Sequence, residues 1–181
     1  QKLDREGMAT DSGEQDNFLR IGDLITLKYI RYQSHLSCEG LLNDEVHLNP
    51  NQHEFEYHLF QVCTTRQYSA KLEYEDFIKR VGDVNNIKAT SDKKHYAALV
   101  KGKGNEMKMN ESLMQHKMGN HVVFGEVIQL KHVKSKKYLT VKDKVLARDE
   151  RENTAVHLST EGNMCSWMQL LPRYKIDREG D

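Results

Sequence analysis

Six lysines crowd one short stretch: Lys131, Lys134, Lys136, Lys137, Lys142 and Lys144. Ammonium groups at that density can hold a phosphate-bearing anion or an acidic protein surface, because their fields add. The plainer reading of the same residues is a hairpin with lysines on its solvated face, a common device on sheet edges. Asp149, Glu150 and Glu152 follow closely and dilute the field. A second candidate is Pro172-Arg173-Tyr174-Lys175, just past a strand-like stretch. Loops on a rigid scaffold often carry function, although an ordinary connecting turn would look the same. No other stretch offers a reaction. The chain has no G-x-S-x-G, P-loop, H-E-x-x-H or EF-hand loop. No nucleophile, base and oxyanion donor can be named together, so neither an enzyme nor a cofactor site is expected.

Metal chemistry is not expected either. The three cysteines, Cys38, Cys63 and Cys165, are far apart and form no C-x-x-C, and the histidines do not cluster at ligand spacing. Free thiols in a reducing compartment follow, with Cys63 read as a small buried hydrophobe. His53 and His58 are five apart in strand-like sequence, which puts them on opposite faces, as surface or strand residues. Formal net charge is zero, with 27 basic and 27 acidic residues, so a dedicated nucleic-acid binder is not expected. No run of apolar residues is long enough to enter a membrane.

The elements that must hold these lysines come from a repeat. Gly22-Asp23-Leu24-Ile25-Thr26-Leu27-Lys28-Tyr29 recurs as Gly125-Glu126-Val127-Ile128-Gln129-Leu130-Lys131-His132, and His35-Leu36-Ser37 as Tyr138-Leu139-Thr140. A supersecondary unit that cannot bury its apolar face alone is built to pack on its copies. In residues 18–68, Ile25, Leu27 and Tyr29 share one strand face, and Phe55, Tyr57 and Leu59 alternate again before Phe60-Gln61-Val62-Cys63. In residues 120–181, Tyr138-Leu139-Thr140-Val141 returns after the turn Lys134-Ser135-Lys136. Val156 with Leu158, and Trp167 with Gln169 and Leu171, supply two more strands; Ser166-Trp167 reads as core. The chain ends on Gly180-Asp181, which reads as the opening of a third copy. Residues 1–17 are charged and small and read as a disordered tail.

Residues 69–119 change period. Tyr74, Phe77, Ile78 and Val81 fall on one helical face, with Ser69 as cap and Gly82 as stop. A second helix is expected from Asp92, carrying Tyr96, Leu99 and Val100 and ending at Gly102. A Met-rich stretch follows. Met107, Met114 and Met118 either cover the sheet or offer an adaptable partner surface. Mainly β with an inserted helical arm is therefore the expected class. About four short strands per copy of some fifty residues fit a β-trefoil, of which two repeats are present.

Val127-Ile128-Gln129-Leu130-Lys131-His132-Val133-Lys134-Ser135-Lys136-Lys137-Tyr138-Leu139-Thr140-Val141 resembles the N-terminal region of inositol trisphosphate receptors. So do Ile21-Gly22-Asp23, Gly40-Leu41-Leu42-Asn43-Asp44, Leu59-Phe60-Gln61-Val62-Cys63 and Ser166-Trp167 with Pro172-Arg173-Tyr174-Lys175. The resemblance implies the suppressor domain, a β-trefoil with a helical arm after its first repeat. Such a domain lowers ligand affinity and couples ligand binding to pore opening. It implies the adjoining ligand-binding core and the neighbouring subunit as partners, a tetrameric channel, and the cytoplasmic face of the endoplasmic reticulum. It also puts the family's functional tyrosine on Tyr174, with Pro172, Arg173 and Lys175 around it. The sequence departs from the family at Glu54 and Glu56, where basic residues are usual, and along the arm, so a regulatory protein there is expected only in general terms. Ryanodine receptors have a related trefoil. A stand-alone trefoil reading an anion through Lys131, Lys134, Lys136 and Lys137 is the other alternative, and a hydrolase on that scaffold a third.

Overall fold

The computed structural model describes residues 17–51, 54–82, 90–147, 152–172, 174, 176 and 178. The expected tail up to residue 16, His53, Asp149, Glu150, Arg173, Lys175 and Gly180-Asp181 lie outside the described residues. The elements are β1 (Leu24–Thr26), β2 (Lys28–Tyr29), β3 (Ser34–Ser37), β4 (His47–Asn49), β5 (Leu59–Thr64), α1 (Ser69–Val81), α2 (Thr90–Lys117), β6 (Val127–His132), β7 (Tyr138–Leu146), β8 (Thr154–Ser159) and β9 (Met168–Gln169). The class is mainly β with two helices, as the sequence suggests.

The repeated sequence is also a repeated set of pairings. β1 pairs with β5, Leu24 opposite Gln61 and Ile25 opposite Phe60; β6 pairs with β9, Val127 opposite Gln169 and Ile128 opposite Met168. Likewise Leu36 faces Leu48 between β3 and β4, as Leu139 faces Leu158 between β7 and β8. Both units open on one turn. The Asp23 N–H donates to the Arg20 carbonyl (3.1 Å) and the Arg20 N–H to Asp23 Oδ2 (2.8 Å). The Glu126 N–H donates to the Val123 carbonyl (3.0 Å) and the Val123 N–H to Glu126 Oε2 (3.4 Å). Gly22 and Gly125 stand in these turns at φ +101° and +84°, where a Cβ would be strained. Each carbonyl then accepts from a glutamine of its unit's last strand, Gln61 at 3.5 Å and Gln169 at 3.0 Å.

The two units meet where β5 pairs with β6, from Phe60 opposite His132 to Thr64 opposite Ile128. Ile21, Cys38, Phe60, Val62, Val122, Ile128, Leu130, Leu139 and Leu158 bury their side chains in one core, with Ile25, Leu27, Leu36 and Met114 packed at its margin. Removing such side chains from water is the main stabilising term, about 1.5–3 kcal/mol for each large one. Cys63 is buried as expected, and all three cysteines are free thiols.

The helices lie between β5 and β6 in the chain and have a small core of their own, Phe77 and Leu99 flanked by Tyr74, Ile78, Val81 and Tyr96. Gly82 ends α1 as expected, at φ +76° with its N–H on the Ile78 carbonyl. Three helical expectations need correction. Gly102 ends nothing, because α2 runs on through it to Lys117. An interior glycine costs about 1 kcal/mol against alanine, which packing can offset; Gly102 is where α2 passes Ala70, and a Cβ there would make an ordinary 3.8 Å contact. Asp92 sits inside the first turn of α2 instead of at its cap. Ser69 is the first residue of α1, whose cap position, Tyr68, supplies no side-chain bond. The acceptor comes from the other helix: Glu106 takes the N–H of Ala70 (2.8 Å) and of Lys71 (3.1 Å).

Strand expectations also shift locally. Phe55–Tyr57 is a 3-10 turn, not a strand, since the Tyr57 and His58 N–H groups reach back to Glu54 and Phe55. His58 is buried next to the His35 ring, not on the surface. Trp167 is 37% exposed, so it is not core. Its indole N–H donates to the Arg66 carbonyl (3.2 Å) and its ring lies beside Tyr68. Ser166, fully buried, takes the interior position beside it. Of the methionines, Met114 packs on the core, while Met107 and Met118 remain about half exposed.

Candidate functional site

The lysine hairpin forms where β6 turns into β7. Lys131 faces Tyr138, and the His132 N–H donates to the Lys137 carbonyl (2.8 Å). Lys136 adopts the left-handed region (φ +60°) at the exposed tip, as Gln33 does in the first unit (φ +49°). Lys134 and Lys137 turn to different partners. Lys134 Nζ lies 2.7 Å from Glu56 Oε1 and 3.9 Å from the centre of the Tyr57 ring. Lys137 Nζ lies 2.6 Å from Asp44 Oδ1. The hydrogen bond that Lys134 donates to Glu56 holds its ammonium above the usual pKa range. Two of the four candidate cations are therefore matched by carboxylates from the first unit. The Glu56 that departs from the family pattern is itself held by Lys134, and Glu54 accepts from Asn49 Nδ2 at 2.8 Å.

Beneath the hairpin, His132 is fully buried. Its Nδ1 lies 2.9 Å from Ser135 Oγ, and burial holds its pKa below the usual range. Gly40 packs on this pair, where a Cβ would sit 2.7 Å from Ser135 and 2.8 Å from the His132 ring.

The second candidate follows β9. Tyr174 is 58% exposed, and Leu171 and Ile176 on either side of it are more exposed still. Pro172 is exposed too. Leu171, Tyr174 and Ile176 thus present apolar surface to solvent.

A third locus was not read from the sequence. Gln129, fully buried in the middle of β6, accepts the Arg66 N–H through Oε1 (3.0 Å) and donates from Nε2 to the Tyr68 hydroxyl (2.8 Å). Burial pushes the Tyr68 hydroxyl's pKa up. Asn110 of α2 closes two bonds on the backbone of Gln67, at 2.8 and 2.9 Å. Lys71 donates to the Gly162 carbonyl (2.8 Å) and pairs with Glu161 (3.2 Å), which Lys103 of α2 also approaches (3.5 Å). Burial works against the Glu161 carboxylate, but the two lysines hold its pKa below the usual range. This network fastens both helices to the two β units. Its one legible signal was a glutamine inside the apolar run Val127-Ile128-Gln129-Leu130, since a buried polar side chain needs partners.

Among the described residues no group of three or more His, Cys, Asp or Glu could hold a metal ion, and no helix is long and apolar enough to cross a membrane. Residues 14–181 match the family described as inositol 1,4,5-trisphosphate/ryanodine receptor. The chain is also similar to the inositol 1,4,5-trisphosphate receptor itr-1 of Caenorhabditis elegans, with 34% identity over 193 aligned positions. That alignment covers 94% of this chain and 6% of the relative.

Proposed function

Because the chain belongs to the inositol 1,4,5-trisphosphate/ryanodine receptor family, we propose that it is the N-terminal suppressor module of an inositol trisphosphate-gated calcium release channel. The observation that carries this reading is the family match over residues 14–181, joined to a relative that is itself an inositol trisphosphate receptor. In this reading the two β units belong to a β-trefoil, the helices form its arm, and the module lies on the cytoplasmic face of the endoplasmic reticulum. Its partners are the adjoining ligand-binding core and the neighbouring subunit of a tetramer.

The module lowers ligand affinity and couples binding to pore opening. Physically, its contacts with the ligand-binding core are stronger in the resting state, so ligand must work against them. Coupling of this kind is typically about 1–3 kcal/mol, or roughly 5–150-fold in affinity. The resemblance puts the family's functional tyrosine on Tyr174, which is proposed for the subunit contact; its exposure beside apolar neighbours just past β9 suits that role. A stand-alone module gripping an anion through the hairpin has less support, since Lys134 and Lys137 already face Glu56 and Asp44.

The test is Tyr174→Ala in the full-length receptor. Inositol trisphosphate binding is expected to stay within about twofold while calcium release falls. Normal release from the variant would overturn the assignment of Tyr174.

A further inference from the structure

A cleft of about 220 Å³ opens between α2 and the β5–β6 pair. Gln61, Arg66, Lys131 and Tyr138 line its sheet side, and Glu111 and Met114 its helix side. Tyr138 is flanked by two cations. The Arg66 guanidinium carbon lies 5.3 Å from the ring centre and Lys131 Nζ 5.6 Å from it. Arg66 Nη1 donates to the Tyr138 hydroxyl at 2.8 Å, while Arg66 Nε is buried and makes no hydrogen bond among the described residues. No ion pair joins Arg66 or Lys131 to a carboxylate among the described residues, unlike Lys134 and Lys137 nearby.

Two cations brought to one aromatic ring without an anion repel each other, and partial burial strengthens that repulsion. The neighbouring Cys63 thiol reports the same field. Burial pushes its pKa up to about 11, and the charges that act on it, Lys131 and Arg66, both pull the other way. Glu111 is exposed at the rim, and no ion pair ties it to either cation.

We propose that this cleft binds a small phosphate monoester, with Arg66 and Lys131 on the phosphate and Met114 against the rest of the molecule. A phosphate monoester carries a charge of about −1.5 to −2 at neutral pH, which matches two cations, whereas a carboxylate leaves one unmatched. The guanidinium offers Nη2, which makes no hydrogen bond among the described residues, as part of a fork suited to phosphate oxygens, and Lys131 adds a point charge. The volume is below the roughly 300 Å³ at which drug-sized pockets begin, so the ligand is small. The site is independent of the Tyr174 loop, and neither proposal rests on the other.

The experiment titrates glycerol 3-phosphate into the ¹⁵N-labelled chain at constant ionic strength, following the Arg66 Nε–H resonance. A saturable shift is expected, with affinity at least tenfold weaker in Lys131→Met and retained in Lys131→Arg. Melting temperatures are recorded for both variants. If Lys131→Met melts early, Lys131→Arg decides alone: retained binding supports the site and lost binding overturns it. A shift that grows linearly and is reproduced by chloride would mean screening only, and would also overturn it.

Discussion

The Glu106 carboxylate does for α1 what a neighbouring residue usually does, and that makes its removal a sharp test of how the helices are held. α1 begins without a side-chain cap of its own. Glu106 supplies both acceptors, to Ala70 at 2.8 Å and Lys71 at 3.1 Å, from the middle of α2. A lost cap costs about 1 kcal/mol, and hydrogen bonds to a charged group are worth about 1.5–3 kcal/mol. Glu106 is only half-buried, so water can replace part of what is lost. Glu106→Ala should therefore destabilise by about 2 kcal/mol, and Glu106→Gln, which keeps one acceptor, by about 1 kcal/mol. For a chain of this size that corresponds to a melting shift of about 4–8 °C for the alanine variant. Thermal and urea unfolding give the magnitude. Amide exchange gives the location, with the largest loss of protection expected in the first turn of α1. A Glu106→Ala chain that unfolds within about 0.3 kcal/mol of the parent would refute the capping account.

Other expectations follow from the same contacts. His132 is buried with its pKa held below the ordinary 6.5, so the unfolded chain takes up the proton first as pH falls. Its contribution is complete above about pH 6.5 and is lost as pH drops toward the folded value, by at most about 1.4 kcal/mol per pH unit. Urea midpoints at pH 7.5 and 5.5 should differ more for the parent than for His132→Asn. Gly22 and Gly125 occupy equivalent turns, but a Cβ on Gly22 would sit 2.1 Å from the Met118 sulfur whereas one on Gly125 meets nothing. Gly125→Ala should cost about 1 kcal/mol from backbone strain alone, and Gly22→Ala more, unless Met118 swings aside. Equal losses in denaturant melts would contradict the packing described at Gly22. Cys63 is buried with a thiol pKa of about 11, whereas Cys165 is exposed. Iodoacetamide at pH 7.5 should therefore label Cys165 well before Cys63, as peptide mass spectrometry would read it.

The β units were legible because a repeated register writes itself twice. Gly22-Asp23 and Gly125-Glu126 specify one turn, and the alternation of Ile25 with Leu27 and of Ile128 with Leu130 sets which face is buried. The α1 face was legible for the same reason, with Phe77 at its centre. What could not be read depends on residues distant in the chain. Gly102 looks like a stop, yet α2 continues through it to Lys117 and passes Ala70 there. Ser69 looks like a cap until Glu106, 36 residues away, supplies the acceptor to Ala70. Trp167 looks like core because large aromatics usually are, yet Ser166 bonded to Thr140 (2.8 Å) fills the interior instead. Among candidate site residues, the lysine count was readable. Glu56 and Asp44, which bind Lys134 and Lys137 from 78 and 93 residues away, were not. Nor was the pairing of Arg66 with Lys131 about Tyr138, which needs the β6–β7 register that sets Lys131 opposite Tyr138 and the bond from Arg66, just past β5, to the Tyr138 hydroxyl.

The measurement that bears most directly on the proposed role is inositol trisphosphate affinity of the receptor's ligand-binding core, with and without this segment attached in its natural order. Weaker binding is expected with the segment present, by about tenfold, within the roughly 5–150-fold range of interdomain coupling. Equal affinities for the two proteins would contradict it.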